Sequence, residues 1–328
     1  MSDSEDILID GADWPVFGWN DDIRPALAEA REAGRGAVLA TLYKVEGSAP
    51  RGAGAQMLFA GTEASGYFSG DCIEGDVARH AAEVLADGQP QRLHYGLGSP
   101  WIDIRLRCGG ALYILAERIA PDSAAAARLL EYAKERRQCS WSTDGIMQTV
   151  EPGEAPLLTF SEAPLHVKRR YDPPRRLIVS GGDPGSLALA RLASEARFET
   201  ILVRPGGPQS PPPFPVSQYL REEPADALAR LGLDRWTAFV GATHEDHHDL
   251  AACLHGLRNG AGYVGMIGAK SRAPGRIEAL EAAGATREEL SRLHLSPGIA
   301  GLGKAPWEVA TGIMAEVMQA LNPARERA

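Results

Sequence analysis

The sequence predicts an α/β protein made of a small N-terminal α/β module and a C-terminal Rossmann-like domain with a parallel sheet. Three observations carry that expectation. From Arg176 onward, short apolar runs alternate with helix-like stretches, the order that builds a parallel sheet with helices on both faces. In the first third of the chain, strand-like runs instead open into glycine-rich loops. Between the two patterns stands Asp172-Pro173-Pro174, which neither helix nor strand accommodates. The chain therefore divides into residues 1–120, a helix and connecting segment over 121–175, and residues 176–328; a length of 328 residues suits such a division.

Residues 21–34 carry an amphipathic helical pattern, with Asp21 and Asp22 at its start and Gly34 at its stop. Residues 37–45 form a strand that opens into Glu46-Gly47-Ser48-Ala49-Pro50-Arg51. A second strand covers 56–60, and 61–65 reads as a turn. After Ser69-Gly70-Asp71-Cys72-Ile73-Glu74-Gly75, residues 73–87 form a helix that Gly88 ends. Residues 101–107 alternate apolar and charged side chains, the period of a half-buried strand, and lead through Cys108-Gly109-Gly110 into a strand over 111–116. A helix over 121–138 and a few strands over 139–175 follow. In the second half, strands are expected at 177–179, 200–203, 237–240 and 262–267, and helices at 185–196, 246–259 and 273–283.

The formal net charge of −9 speaks against nucleic acid or an anionic membrane as a partner, since either calls for a basic surface. No apolar run reaches membrane-spanning length and the first ten residues are acidic, so a cytoplasmic protein is expected. The four cysteines are widely spaced, with no CxxC, and are expected as free thiols.

Three loops concentrate the chemistry of the first half. Glycines let a backbone approach a ligand closely and turn its N–H groups outward. Cys72 stands in a glycine-flanked turn ahead of a helix, whose N-terminus favours negative charge there while Asp71 and Glu74 oppose it. For Cys108 two readings stand: a second thiol of the same site, suited to a soft metal–sulfur centre, or a small hydrophobe packed in the sheet. Cys139 and Cys253 read as structural.

In the second half, Ser180-Gly181-Gly182-Asp183-Pro184-Gly185 is a partial dinucleotide fingerprint, with Ser180 at its first glycine position and Gly182 and Gly185 at the others. Asp183-Pro184 is a strong helix start that sets a carboxylate where a pyrophosphate would lie. Arg204 occupies the position of the acid that reads a ribose hydroxyl; an arginine there suits a 2′-phosphate, another phosphorylated ligand, or no ligand. His244-Glu245-Asp246-His247-His248 matches HExxH literally, yet it follows a strand instead of lying within a helix. A metal site drawing on His244, His247 or His248 with Asp246 or Asp249 stands beside a plain polar helix start as its two readings.

GSAPR, SGDCIEG and LRCGG in the first half, with THEDHHDL, YVGMIGAKSR and SPGIAGLGKAPWEVA in the second, together resemble the XdhC/CoxI family of molybdenum-cofactor maturation proteins over nearly the whole chain. The resemblance implies an accessory protein without turnover of its own. Such a protein binds molybdenum cofactor (molybdopterin), holds it for sulfuration by a cysteine desulfurase, and delivers it to a client molybdenum hydroxylase of the xanthine dehydrogenase or CO dehydrogenase kind. It further implies that Gly70, Cys72, Glu74 and Gly75 belong to the cofactor loop, with Gly47, Ser48 and Arg51 facing it and Cys108 and Gly109 completing it. Cys72 would approach the Mo–S end, while Arg51 and loop amides would hold the pterin phosphate. Gly182, Gly185 and Arg204 would line the Rossmann-like site, where NAD(P) is the candidate second cofactor, and a homodimer is the expected assembly. The chain departs from the family's pattern at Asp71, Ser180 and Arg204. The competing reading is an NAD(P)-dependent oxidoreductase that uses the Rossmann-like half.

Overall fold

The chain forms two units, Met1–Pro173 and Pro174–Ala328, and the computed structural model describes residues 15–70, 72–100, 106 and 108–322. The first unit runs, after a short 3-10 turn at Val16–Trp19, through α1 (Arg24–Glu32), β1 (Ala37–Glu46), β2 (Gln56–Ala60), β3 (Glu63–Gly66), α2 (Glu74–Asp87), β4 (Gln91–Gly96), β5 (Ala111–Ile119) and α3 (Ala124–Lys134). It ends in β6 (Cys139–Thr143), β7 (Gln148–Pro152), β8 (Leu158–Glu162) and β9 (Leu165–Tyr171). The first five strands form one sheet in the order β3-β2-β1-β5-β4 and the last four another in the order β7-β6-β9-β8, with every pairing antiparallel.

Successive side chains of a strand point to opposite faces, and β1 buries both. Val38, Ala40 and Leu42 pack with Val77, Ala78, Ala81 and Val84 of α2. Ala37 and Leu39 pack with Leu27 and Ala30 of α1, Ala126 and Leu129 of α3, and Cys139 and Trp141 of β6. Burial on both sides explains why this strand reads as a continuous apolar run.

The second unit contains β10 (Arg176–Gly181), α4 (Pro184–Glu195), β11 (Glu199–Val203), β12 (Gln218–Leu220), α5 (Pro224–Leu231), β13 (Thr237–Ala242), α6 (Asp246–Arg258), β14 (Tyr263–Met266), α7 (Ala273–Ala282), α8 (Arg287–Ser291), β15 (Leu293–Leu295) and α9 (Pro306–Ala320). Its strands pair in parallel in the order β12-β11-β10-β13-β14-β15. Leu177 and Val179 face a core shared with α4 and α9, whereas Ile178 faces one shared with α5 and α6. The chain runs outward in both directions from β10. The crevice of such a sheet therefore lies beyond the carboxyl ends of β10 and β13, where strand order reverses.

The expected α/β architecture is the observed one, and several elements differ in detail. Residues 61–65, read as a turn, are mostly strand: a two-residue turn containing Gly61 (φ 62°) joins Ala60 to Glu63, and the hairpin continues to Gly66. Asp22 does not cap α1; it accepts from the Arg24 backbone N–H and pairs with the Arg24 guanidinium at 2.7 Å. Residues 139–171 form the complete second sheet instead of a few strands and a connection. The strand expected at 101–107 falls largely outside the described residues, as does Asp71. β4, β12, α5, α8, β15 and α9 had no expectation, being short or polar in pattern apart from α5 and α9. No helix among the described residues is long and apolar enough to cross a membrane.

Candidate functional site

The loop ahead of α2 is organised from within by Glu74. This carboxylate is fully buried. Its Oε1 accepts from the backbone N–H groups of Phe68 (2.9 Å), Ser69 (2.6 Å) and Gly70 (3.1 Å). Its Oε2 accepts from the Ser69 hydroxyl at 2.6 Å and the Ile73 N–H at 3.2 Å. Ser69 Oγ in turn accepts from the N–H groups of Cys72 (2.9 Å) and Ile73 (3.1 Å). Burial pushes the Glu74 carboxyl up, but the hydrogen bonds from Ser69 and the loop amides outweigh it and hold the group below its ordinary range. The geometry corrects the expectation that these amides point at a ligand: a carboxylate of the chain itself already fills the anion-binding nest they form. What the loop presents outward is Cys72, which is exposed. Gly70, at φ +75°, and Gly75 face open space.

Two of the other predicted loops meet through backbone contact. Glu46 pairs with Ala111 across β1 and β5, which brings Gly47-Ser48 against Cys108-Gly109-Gly110. A side chain on Gly110 would run into the Ser48 carbonyl oxygen and stand 2.8 Å from that of Glu46. Gly47 Cβ, if present, would lie 3.4 Å from Gly110 Cα. Gly110 is thus the residue that lets the loops touch, a position the sequence reading passed over although its Gly-Gly doublet marks it. Gly109 has a positive φ of 73° and open space around it. Ser48 is exposed. Cys108 is partly buried and packs on the core that contains Phe68, Ile73 and Leu112.

Arg51 is already engaged. Its Nη1 lies 2.8 Å from Asp21 Oδ1 and its guanidinium sits 4.7 Å from the centre of the Tyr67 ring. Tyr67 directly precedes the Phe68–Gly70 amides, so the arginine flanks the Cys72 loop. Nη1 is the atom that meets Asp21, an exposed partner worth little in water.

In the second unit, Arg204 lies across the glycine turn: a Cβ on Gly182 would stand 2.6 Å from Arg204 Cδ and Cζ. β10 and β11 pair in register from Arg176↔Glu199 to Ser180↔Val203, which sets the two residues side by side at the strand ends. Asp183 caps α4 by accepting from the Ser186 N–H at 2.9 Å, and His244 Nε2 lies 3.3 Å from its Oδ2. Burial raises the Asp183 carboxyl, while Ser186 and His244 more than compensate and hold it low. Gly185 lies 3.4 Å, by its missing Cβ, from the same carboxylate. The turn therefore presents a negative helix start with an arginine laid over its glycine.

The histidine motif also resolves. His244 precedes α6 with φ +66° and turns to Asp183. Asp246 pairs with Arg272 and Arg276, and buried Asp249 accepts from Ser180 Oγ and the Thr243 N–H. His247 and His248 instead converge on Glu245. Cys139 and Cys253 are buried, as expected of structural residues, and burial pushes the Cys139 thiol up to about 11.

With this geometry in place, the chain can be set against known proteins. Residues 30–96 match the XdhC and CoxI family, and residues 177–317 the XdhC Rossmann domain. A molybdenum cofactor insertion chaperone, PaoD, of Escherichia coli (strain K12) is 28% identical over 302 residues, covering 90% of this chain and 88% of its own. A probable xanthine dehydrogenase subunit of Bacillus subtilis (strain 168) is 26% identical over 330 residues, covering 90% and 95%. A crystal structure described as a xanthine dehydrogenase from Bacillus halodurans superposes with a TM-score of 0.72 at 22% identity, over 94% of this chain and 97% of that one, which establishes the shared fold.

Proposed function

Because the chain belongs to the XdhC and CoxI family, matched in both of its units, we propose that it is an accessory protein that binds molybdenum cofactor as cargo and passes it to a molybdenum hydroxylase. The observation that carries this reading is the outward thiol of Cys72 on a loop whose amides are locked from behind by Glu74 and Ser69. A preorganised loop holds the Cys72 sulfur in place at little ordering cost when cargo arrives, and a soft sulfur donor suits a molybdenum–sulfur centre. The donor set fits the cargo at that end. At the phosphate end the loop amides are taken, so Arg51 is the residue we assign to the pterin phosphate, its Nη1 being the atom that meets Asp21. An arginine fork holds a phosphate by two hydrogen bonds where a lysine offers a point charge.

In this reading the protein holds the cofactor while a cysteine desulfurase supplies sulfur, and then delivers it to a xanthine dehydrogenase-like or CO dehydrogenase-like client, acting as a cytoplasmic homodimer without turnover of its own. The similarity to a cofactor insertion chaperone over most of both chains supports it. The test is purification from a host that makes the cofactor, followed by assay of molybdenum and oxidised pterin. Near-stoichiometric cargo is expected. Cys72→Ala should lower it, and Arg51→Ala should lower pterin retention more than Arg51→Lys. Protein that carries neither molybdenum nor pterin from such a host would sink the reading.

A further inference from the structure

We propose that Glu245, His247 and His248, at the start of α6, form a binding site for a divalent transition-metal ion of borderline softness, with Glu223 orienting one of the histidines. Their ligand atoms lie within 4.8 Å of one another. Glu245 Oε2 stands 3.8 Å from His247 Nε2 and 3.7 Å from His248 Nε2. The two rings are 3.8 Å apart at an interplanar angle of 40°. Tetrahedral zinc with bonds near 2.1 Å separates its ligand atoms by about 3.4 Å. The two glutamate–histidine separations lie within a few tenths of an ångström of that value, and two imidazoles with a carboxylate are a ligand set that zinc accepts while keeping an open position.

Glu223 supplies the observation that sets this cluster apart from a chance surface grouping. Its Oε2 contacts His248 Nδ1 at 2.5 Å. With Nδ1 facing Glu223, Nε2 is the ring nitrogen left toward Glu245, 3.7 Å from its Oε2. A carboxylate on the far nitrogen is also the usual support of a metal-bound histidine, fixing tautomer and ring orientation. Glu223 and Glu245 are the N-cap residues of α5 and α6. Helix N-termini disfavour a bare cation, and the two carboxylates offset that field. The side chains of Glu245 and His247 are 63% and 69% exposed while that of His248 is 16% exposed, so an ion has an open approach and one firmly seated ligand. None of these residues belongs to the cofactor loop, and the site stands whatever cargo Cys72 takes.

The experiment is equilibrium dialysis of the full chain, stripped with chelator and carrying Cys72→Ser and Cys108→Ser to remove competing thiols, against zinc chloride with excess magnesium. One equivalent of zinc is expected. His247→Ala or His248→Ala should weaken binding at least 100-fold. Glu223→Gln, which leaves the ligands in place, should weaken it about 10- to 100-fold. Glu245→Gln alters an exposed side chain and keeps the test valid should His248→Ala unfold. Absence of zinc under these conditions, or an unchanged equivalent in the combined His247→Ala, His248→Ala protein, overturns the proposal.

Discussion

The Arg204 side chain lies against Gly182, with Cδ and Cζ each 2.6 Å from where a Cβ on that glycine would be. A dinucleotide pyrophosphate needs that backbone approach and a favourable helix start. Here an arginine covers the first and Asp183 occupies the second. The unmodified protein should therefore take up labelled NADH and NADPH weakly. Asp183→Asn keeps the cap and removes the charge, and should raise phosphate-ligand affinity several-fold. Tight NADH binding by the unmodified chain would contradict this account of the turn.

Gly110 and Gly182 should respond differently to alanine. The new methyl at Gly182 meets a flexible side chain that can swing aside, whereas at Gly110 it meets the backbone of Ser48 and Glu46. Gly110→Ala should cost on the order of 1–3 kcal/mol of unfolding free energy, and Gly182→Ala less than about 1 kcal/mol. Chemical denaturation of the two variants checks the ranking; equal losses would mean that the two loops near Gly47 do not depend on the close approach.

Glu74→Gln should loosen the Cys72 loop. The amide can present one oxygen and would turn N–H donors toward the donors of Phe68, Ser69 and Gly70. A loss of about 2–3 kcal/mol is expected for charge-assisted bonds left unmade. The wild-type carboxylate is held low in the folded state. Its contribution is therefore complete above the ordinary carboxylate range and is lost as pH falls through the depressed folded value. Hydrogen exchange of the Ser69 to Ile73 amides reads both effects, and unchanged protection in the variant would count against Glu74 as the anchor.

Glu117 supplies the opposite pH dependence. Buried between the two sheets of the first unit, it accepts from Trp141 Nε1 (3.1 Å), Thr143 Oγ1 (2.6 Å) and Gln148 Nε2 (2.9 Å). Burial nonetheless pushes its carboxyl up to about 7. The folded chain then holds a proton that the unfolded chain has released, so stability falls as pH rises from about 4.5 through about 7. The size is roughly 3 kcal/mol for a shift of that extent. Glu117→Gln should flatten this part of the stability profile, measured by denaturation at several pH values; an unchanged slope would assign it to other groups.

Four strands of the parallel sheet, β10, β11, β13 and β14, were legible because each is a short apolar run alternating with a helix-like stretch. Those signals are local. β12 and β15 are three residues long, too short for any period, and were not legible. In the site, the chain places Gly70 and Cys72 in one turn, with Gly75 at the start of α2, by simple adjacency.

What only the tertiary structure decided is the direction in which polar side chains turn. From the sequence, the resemblance places Glu74 in the cofactor loop; the packing of α2 on β1 drives its carboxylate inward, where five donors satisfy it. His244 and His248 look like partners in one motif, yet the helix begins between them and sends them to Asp183 and Glu223. Arg204 reaches Gly182 because β10 and β11 pair in register. The physical reason is common to all three. Apolar periodicity is written along the chain and specifies which faces are buried, whereas the partner of a charged side chain depends on which distant backbone or side-chain atoms that burial brings within hydrogen-bonding reach.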